Sequence, residues 1–237
     1  MADDIPDLRA RIKAVARGDR DAWAPPPVRP AATVAMLRQG EAGVEVYLMR
    51  RMSTMVFAPQ MHVFPGGAVE ADDGAVASAE AFRAAAVREV EEETGVRIAD
   101  AGELVPFARW VTPEVEKRRY DTAFFAIAVP EEQLPTLVGT EASQASWVTP
   151  EQALAANAAG EMSMLPPTAA TLGQLSGYPD VATVLAAVAD LPRPALMPVP
   201  RESGDGIEWG LIDFLTGAPI TDLTEAGLPP SWGMGLG

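Results

Sequence analysis

The sequence predicts an α/β or α+β sandwich, and three observations point there. Several short β-rich segments flank and follow one strongly marked helix. Further helical segments come later in the chain, so apolar strand faces have helices to bury against. Hydrophobic residues make up 48% of the 237 positions and charged residues only 22%, the balance of a globular protein. That length allows one substantial core with appendages, or two small domains.

Residues 1–30 read as an extension. An amphipathic stretch runs from Ile5 to Ala16, and the prolines of WAPPPVRP then forbid a continuous helix. AATVAMLR (31–38) and VEVYLMRR (44–51) flank the glycine-bearing QGEAG and predict a hairpin. HVF (62–64) is a short strand ending at Pro65-Gly66-Gly67. A helix is expected from about Val76 to Thr94, with Ala79, Phe82, Ala86 and Val90 as its apolar stripe and Gly95 as its C-cap. LVPFARWVT (104–112), YDTAFFAIAV (120–129) and ASWVT (145–149) have strand composition, and Pro150 opens another helix. Two short helices, split by Gly177-Tyr178-Pro179, are expected after Glu161. From Leu191 to Gly237 prolines and glycines imply a draped segment with at most one hairpin, near IEWGLIDFL (207–215). The expected organisation is an extension (1–30), a main domain (31–160) and a helical and irregular C-terminal extension (161–237) packed on the same domain.

Composition excludes several chemistries. There are no cysteines, which removes disulfides, thiolate metal sites and cysteine nucleophiles. A lone histidine, His62, makes a histidine-based triad or zinc site untenable. The net charge of −15 argues against a nucleic-acid partner, because neutralising backbone phosphates needs a surplus of Lys and Arg. No apolar run reaches the roughly 18 residues of a membrane span, and the acidic start MADDIPDL has no secretory apolar core. A cytoplasmic protein without membrane or nucleic-acid partners is the expectation. If it handles phosphates, it does so through a divalent cation.

The segment REVEEETGV (88–96) carries that chemistry. Four glutamates crowd the C-terminal end of the predicted helix, where the helix dipole disfavours each exposed acid by roughly 0.3–1 kcal/mol. Helical spacing puts Glu89, Glu92 and Glu93 on one face and Glu91 on the other. Three convergent carboxylates suit a hard cation such as Mg²⁺ or Mn²⁺. The competing reading is an ordinary solvated acidic helix.

Glu80, seven residues, Arg88-Glu89, an apolar Val90, one residue, Glu92-Glu93, one residue, Gly95 and an apolar Val96 together resemble the box of the Nudix hydrolases, which cleave a nucleoside diphosphate linked to another moiety. The resemblance implies an α/β/α sandwich with a mixed sheet. It implies that Glu89, Glu92 and Glu93 ligate Mg²⁺ or Mn²⁺, that Arg88 orients a box carboxylate, and that Glu80 helps tie the loop to the helix. The general base is a box glutamate such as Glu89 or a downstream acid; Glu141 stands at the place of such an acid, the alternative for it being a surface loop carboxylate. Either Gly67 or Gly74 can serve as the box glycine. Gly67 is preferred, and the loop AVEADDG is then seven residues longer than the family pattern.

RRMSTMVFAPQMHVFPGG, WVTPEVEKRRYDTAFFAIAV and LPPTAATLGQL look most like the CoA and acyl-CoA diphosphatase branch of the mammalian peroxisomal type. A stricter CoA signature would have an arginine and a glycine where Phe57 and Gln60 stand. The resemblance makes CoA or acyl-CoA the first substrate. ADP-ribose, NADH or a nucleotide sugar is the alternative, and a binding-only Nudix module a second one. Arg50, Arg51, Arg118 and Arg119 are candidate phosphate contacts, Arg51 and Arg119 foremost, together with Gly66 and Gly67. His62 is expected to be structural, and Trp110, Phe124 and Phe125 core. Met49, Met52, Met55 and Met61 either line an apolar substrate groove or simply pack. A homodimer through the C-terminal segment is a further option.

Overall fold

The computed structural model describes residues 5–55, 58–75, 77–130, 132–204, 206–224 and 226–228. Val76, the expected helix start, and Phe57 lie outside the described residues.

The predicted hairpin is β1 (Val28–Gly40) and β2 (Gly43–Arg51), antiparallel with Leu37 opposite Val46. β1 pairs β2 only at this turn end. Its first half pairs antiparallel with β4 (Gly66–Ala68), which places Thr33 opposite Gly66 and Ala32 opposite Gly67. β3 (His62–Val63) pairs with the far half of β2. The chain from 62 to 68 therefore fills the gap where β1 and β2 diverge. β7 (Ala142–Val148) covers the other edge of β2. On its remaining edge β1 runs parallel to β6 (Arg119–Ala128), which pairs antiparallel with β5 (Val105–Val111).

Residues 31–37 read as a nearly unbroken apolar run because β1 is covered on both faces. Ala32, Val34 and Met36 pack against Phe82, Ala85, Ala86 and Val90 of α2 (Ala79–Thr94). Ala35 and Leu37 face a second core containing Phe107 of β5, Leu172 and Leu175 of α4 (Pro166–Leu175), and Val184 and Val188 of α5 (Val181–Ala189). Helices thus lie on both sides of a mixed sheet. α2 starts with Ser78 as N-cap, its hydroxyl accepting from Ala81 N at 3.0 Å, and stops at Gly95 with φ 72°. Ala79, expected in the apolar stripe, is exposed because it is the first residue of the helix. α3 (Pro150–Ala158) opens at Pro150 as expected, capped by Thr149.

The two ends of the chain are more ordered than their prolines imply. α1 (Leu8–Arg17) is anchored by Arg11, which donates to Val115 O at 2.6 Å and lies over the Trp23 ring. β8 (Ala195–Ser203) and β9 (Gly206–Asp213) form the one expected hairpin, β10 (Pro219–Ile220) continues from it, and β8 also joins β5 in parallel. That junction involves only Ala195 and Leu196 of β8. Pro198 and Pro200 lie past it, where a missing N–H breaks no ladder bond. The ten strands of the described residues form one sheet.

Phe107 is fully buried, edge-on to Phe124. Phe107→Ala is expected to destabilise the fold by about 3–5 kcal/mol, read as a lower urea midpoint with an unchanged slope.

Candidate functional site

The last turn of α2 faces the Pro65-Gly66-Gly67 turn. Gly66 N donates to Glu93 Oε2 at 2.8 Å, joining helix to turn directly. Gly66 has φ 155°, and a Cβ there would strike the Ala32 carbonyl and Thr33 of β1. A Cβ on Gly67 would collide with the Glu89 carboxylate. Gly66 is therefore required by its close approach to the sheet, whereas at Gly67 the end of the Glu89 side chain would have to move aside. Gly74 is elsewhere, as C-cap of the short 3-10 turn 71–73, with Ala81 Cβ the nearest atom at 4.0 Å.

Arg88 spends all five of its N–H donors within this patch. Nε and Nη2 grip the two oxygens of Asp73 at 3.2 and 2.9 Å. Nη2 also reaches Ala68 O at 3.0 Å, and Nη1 is shared between Glu89 at 2.8 Å and Glu92 at 3.2 Å. Burial raises the Glu89 carboxyl above its ordinary range; Arg88 opposes this, while Glu92 and Glu141 add to it. Burial also pushes Glu93 up, to about 7; the Gly66 N–H and Arg51 oppose that, and the charges of Glu89 and Glu141 reinforce it. Glu89, Glu93, Glu141 and Arg51 therefore share one electrostatic environment. Arg51 Nη2 lies 3.7 Å from Glu141, and Met52 N donates to Glu141 O at 2.8 Å, which fixes that loop against the end of β2.

Not every candidate joins this patch. Glu92 is turned outward, its side chain 60% exposed. Among the described residues no three acidic or histidine side chains form a finished cation cage. Glu91 points away and pairs with Arg97 at 2.9 Å. Glu80 is exposed and makes no hydrogen bond or ion pair with described residues, so the tie between loop and helix is made by Arg88 and Asp73 instead. Arg119 is buried, donating to Thr112 O at 3.0 Å, Pro26 O at 3.3 Å and Met197 Sδ at 3.2 Å. Its guanidinium is committed inside the sheet and does not meet the carboxylates. Arg50 alternates to the sheet face opposite Arg51 and donates to Gln60 Oε1 at 3.1 Å. There it lines a cleft of about 360 Å³ with Leu48, His62, Gln144 and Ser146. His62 is structural in its contacts, its N donating to Ser163 O at 2.7 Å. Trp110, Phe124 and Phe125 are core. Met49 is buried in the α2 core, and Met52, Met55 and Met61 are half-buried.

Sequence reasoning missed Asp73. It lies fifteen residues before Arg88 in an irregular loop, and the signal that could have found it is its place six residues after Gly67.

The two glycines separate in their expected effects. Gly66→Ala strikes backbone and is expected to cost roughly 1–3 kcal/mol of stability, whereas Gly67→Ala strikes only the Glu89 side chain. Thermal denaturation of both variants should show the larger fall in Tm for Gly66→Ala.

The model of the NUDIX domain family matches residues 27–167. The protein "Putative nudix hydrolase 7" of Caenorhabditis elegans is 27% identical over 169 residues, which are 57% of this chain; the chain spans 57% of that relative's length. The crystal structure of a NUDIX hydrolase from Alicyclobacillus acidocaldarius superposes with a TM-score of 0.64 at 26% identity, covering 70% of this chain and 99% of that one. The family match extends over more than half the chain and includes both the glycine turn and the acidic end of α2, and the chain belongs to the Nudix family.

Proposed function

We propose that this chain hydrolyses the diphosphate linkage of a nucleoside diphosphate derivative, using Mg²⁺ or Mn²⁺, with CoA or acyl-CoA as its first substrate. The observation that carries the reading is the meeting of Glu89, Glu93 and Glu141 beside Gly66 and Gly67 in a Nudix chain. The donor set fits a hard cation. The carboxylates are oxygen ligands of the right class, and burial together with neighbouring carboxylate charge raises the proton affinity of Glu89 and Glu93, which a bound cation would reverse. Glu89, Glu92 and Glu93 would hold it, Glu92 after swinging in from its exposed position.

When bound, the cation polarises a phosphoryl oxygen and activates water. The residues supply the rest. Water oxygen bonds to phosphorus, the bridging P–O bond breaks, and the water proton passes to a carboxylate, Glu89 or Glu141. Arg51, beside Glu141, is the arginine that can meet the substrate's phosphates at this patch; the space a side chain would take at Gly66 and Gly67 is already filled by β1 and by the Glu89 carboxylate. CoA is favoured by the likeness of the segments around FPGG and of 165–175 to CoA diphosphatases, and half-buried Met52, Met55 and Met61 offer an adaptable apolar surface near the end of β2.

Hydrolysis of CoA, acyl-CoA, ADP-ribose, NADH and nucleotide sugars, each with Mg²⁺ or Mn²⁺, tests the reading. Turnover should vanish with EDTA and return with metal, and CoA should yield 3′-phosphoadenosine-containing product. Glu93→Gln is expected to lower kcat by about 10²–10³. A double Glu92→Gln, Glu93→Gln variant that keeps the wild-type rate would sink the metal assignment. Absence of turnover of every diphosphate by folded protein would favour a binding-only module.

A further inference from the structure

We propose that Leu134, Leu137 and Val138, on the loop between β6 and β7, form a surface that receives an uncharged aliphatic arm of the substrate and so favours acylated diphosphates over those with a polar arm. The assignment rests on the diphosphatase reading and narrows it. Six large apolar side chains are exposed among the described residues, and three of them stand within these five positions, at 75%, 38% and 46% exposure. Scattered exposed apolar residues are ordinary, but a cluster beside a site marks a contact surface.

The loop that carries them is held, not left loose. Gln133 clasps Arg97 as a neighbouring strand would, its Oε1 accepting from Arg97 N at 2.8 Å and its Nε2 donating to Arg97 O at 3.1 Å. Thr136 N and Val138 N donate to the carbonyls of Thr94 and Glu93, so the loop crosses the end of α2. A Cβ on Gly95, the helix C-cap, would stand 3.8 Å from Val138 Cγ2. Three residues later Glu141 accepts from Met52 N and faces Arg51. The apolar strip therefore starts at the helix end that carries the carboxylates and leads to Glu141 and the half-buried Met52. Burying these side chains would be rewarded, yet a fastened backbone keeps them outside, next to the place where a diphosphate would lie. The segment PEEQLPTLVGTE contains no Lys, Arg or His, and its charges are all acidic. It would repel an anionic arm or an anionic lipid surface, and a second copy of the chain would bring the same glutamates against it. An alkyl chain meets no such opposition.

Steady-state hydrolysis of octanoyl-CoA and CoA tests the surface, and wild type is expected to show the higher kcat/KM for octanoyl-CoA. In the double Leu134→Ser, Leu137→Ser variant that preference should fall roughly 10-fold, mostly through KM. Leu134→Met with Leu137→Met should keep it, because methionine remains apolar and adaptable. Leu215→Ser removes an equally exposed leucine elsewhere and should match wild type. Titrating octanoyl-CoA into wild type in EDTA should shift the methyl resonances of Leu134, Leu137 and Val138 more than CoA does. An unchanged preference in the serine variant, an equal fall in Leu215→Ser, or methyl groups indifferent to the acyl chain would overturn the proposal. So would methyl shifts that track a concentration-dependent dimer, or binding to phosphatidylcholine vesicles that the serine variant loses, since another occupant would then own the surface. Should the serine variant not fold, the wild-type methyl shifts decide. If wild type cleaves no diphosphate, the diphosphatase reading falls, and the same methyl titration still judges whether an aliphatic arm binds here.

Discussion

The divergence of β1 and β2 is the constraint on which the rest of the site depends. The strands pair only near their turn, and residues 62–68 wedge into the opening. The wedge fits because Gly66 lies against the backbone of β1 without a side chain. Once seated, it presents the Gly66 N–H to Glu93 and the bare Cα of Gly67 to Glu89. These carboxylates are four residues apart, on one face of α2. α2 is in turn held in rotational phase by Phe82, Ala86 and Val90 against the same strand. Strand register and helix phase therefore act on one small volume, and a shift in either would misplace the carboxylates.

Acids at a helix C-terminus oppose the helix dipole, and the chain offsets part of that cost. The carbonyls of Glu93 and Thr94 accept N–H groups from Val138 and Thr136, at 2.9 and 3.0 Å, which neutralises some of the negative end. Glu91 finds Arg97 in solvent, and Glu89 and Glu92 share Arg88. Glu93 accepts one backbone N–H, and burial pushes its carboxyl up to about 7 in spite of that bond.

Features governed by local spacing could be read from the sequence. α2 declares itself by apolar period, N-cap and C-cap glycine, and the hairpin by its turn, so the core and the acidic face followed. What depends on distant partners could not be read. Asp73 meets Arg88 across an irregular loop, and the parallel junction of β8 with β5 joins segments more than eighty residues apart. From sequence Arg119 reads as a phosphate contact because arginine meets phosphate bidentately. Here Pro26 and Met197, from the two ends of the chain, close over it, and nothing near Arg119 in sequence signals that.

The fate of the arginines bears on how a diphosphate could be held at all. The chain carries 18 basic residues against 33 acidic ones, so an anionic substrate approaches a repelling surface. At the patch itself Arg88 has no donor left, Arg51 faces Glu141, Arg50 lies on the other side of the sheet and Arg119 is inside it. Among the described residues at the patch, Arg88 and Arg51 both already stand beside carboxylates, which leaves little positive charge for two phosphates. On the proposed reading the balance of charge must come from divalent cations, and substrate and metal then bind interdependently. Each creates the charge that the other needs, so the carboxylates that repel a bare diphosphate become the reason its metal complex is retained.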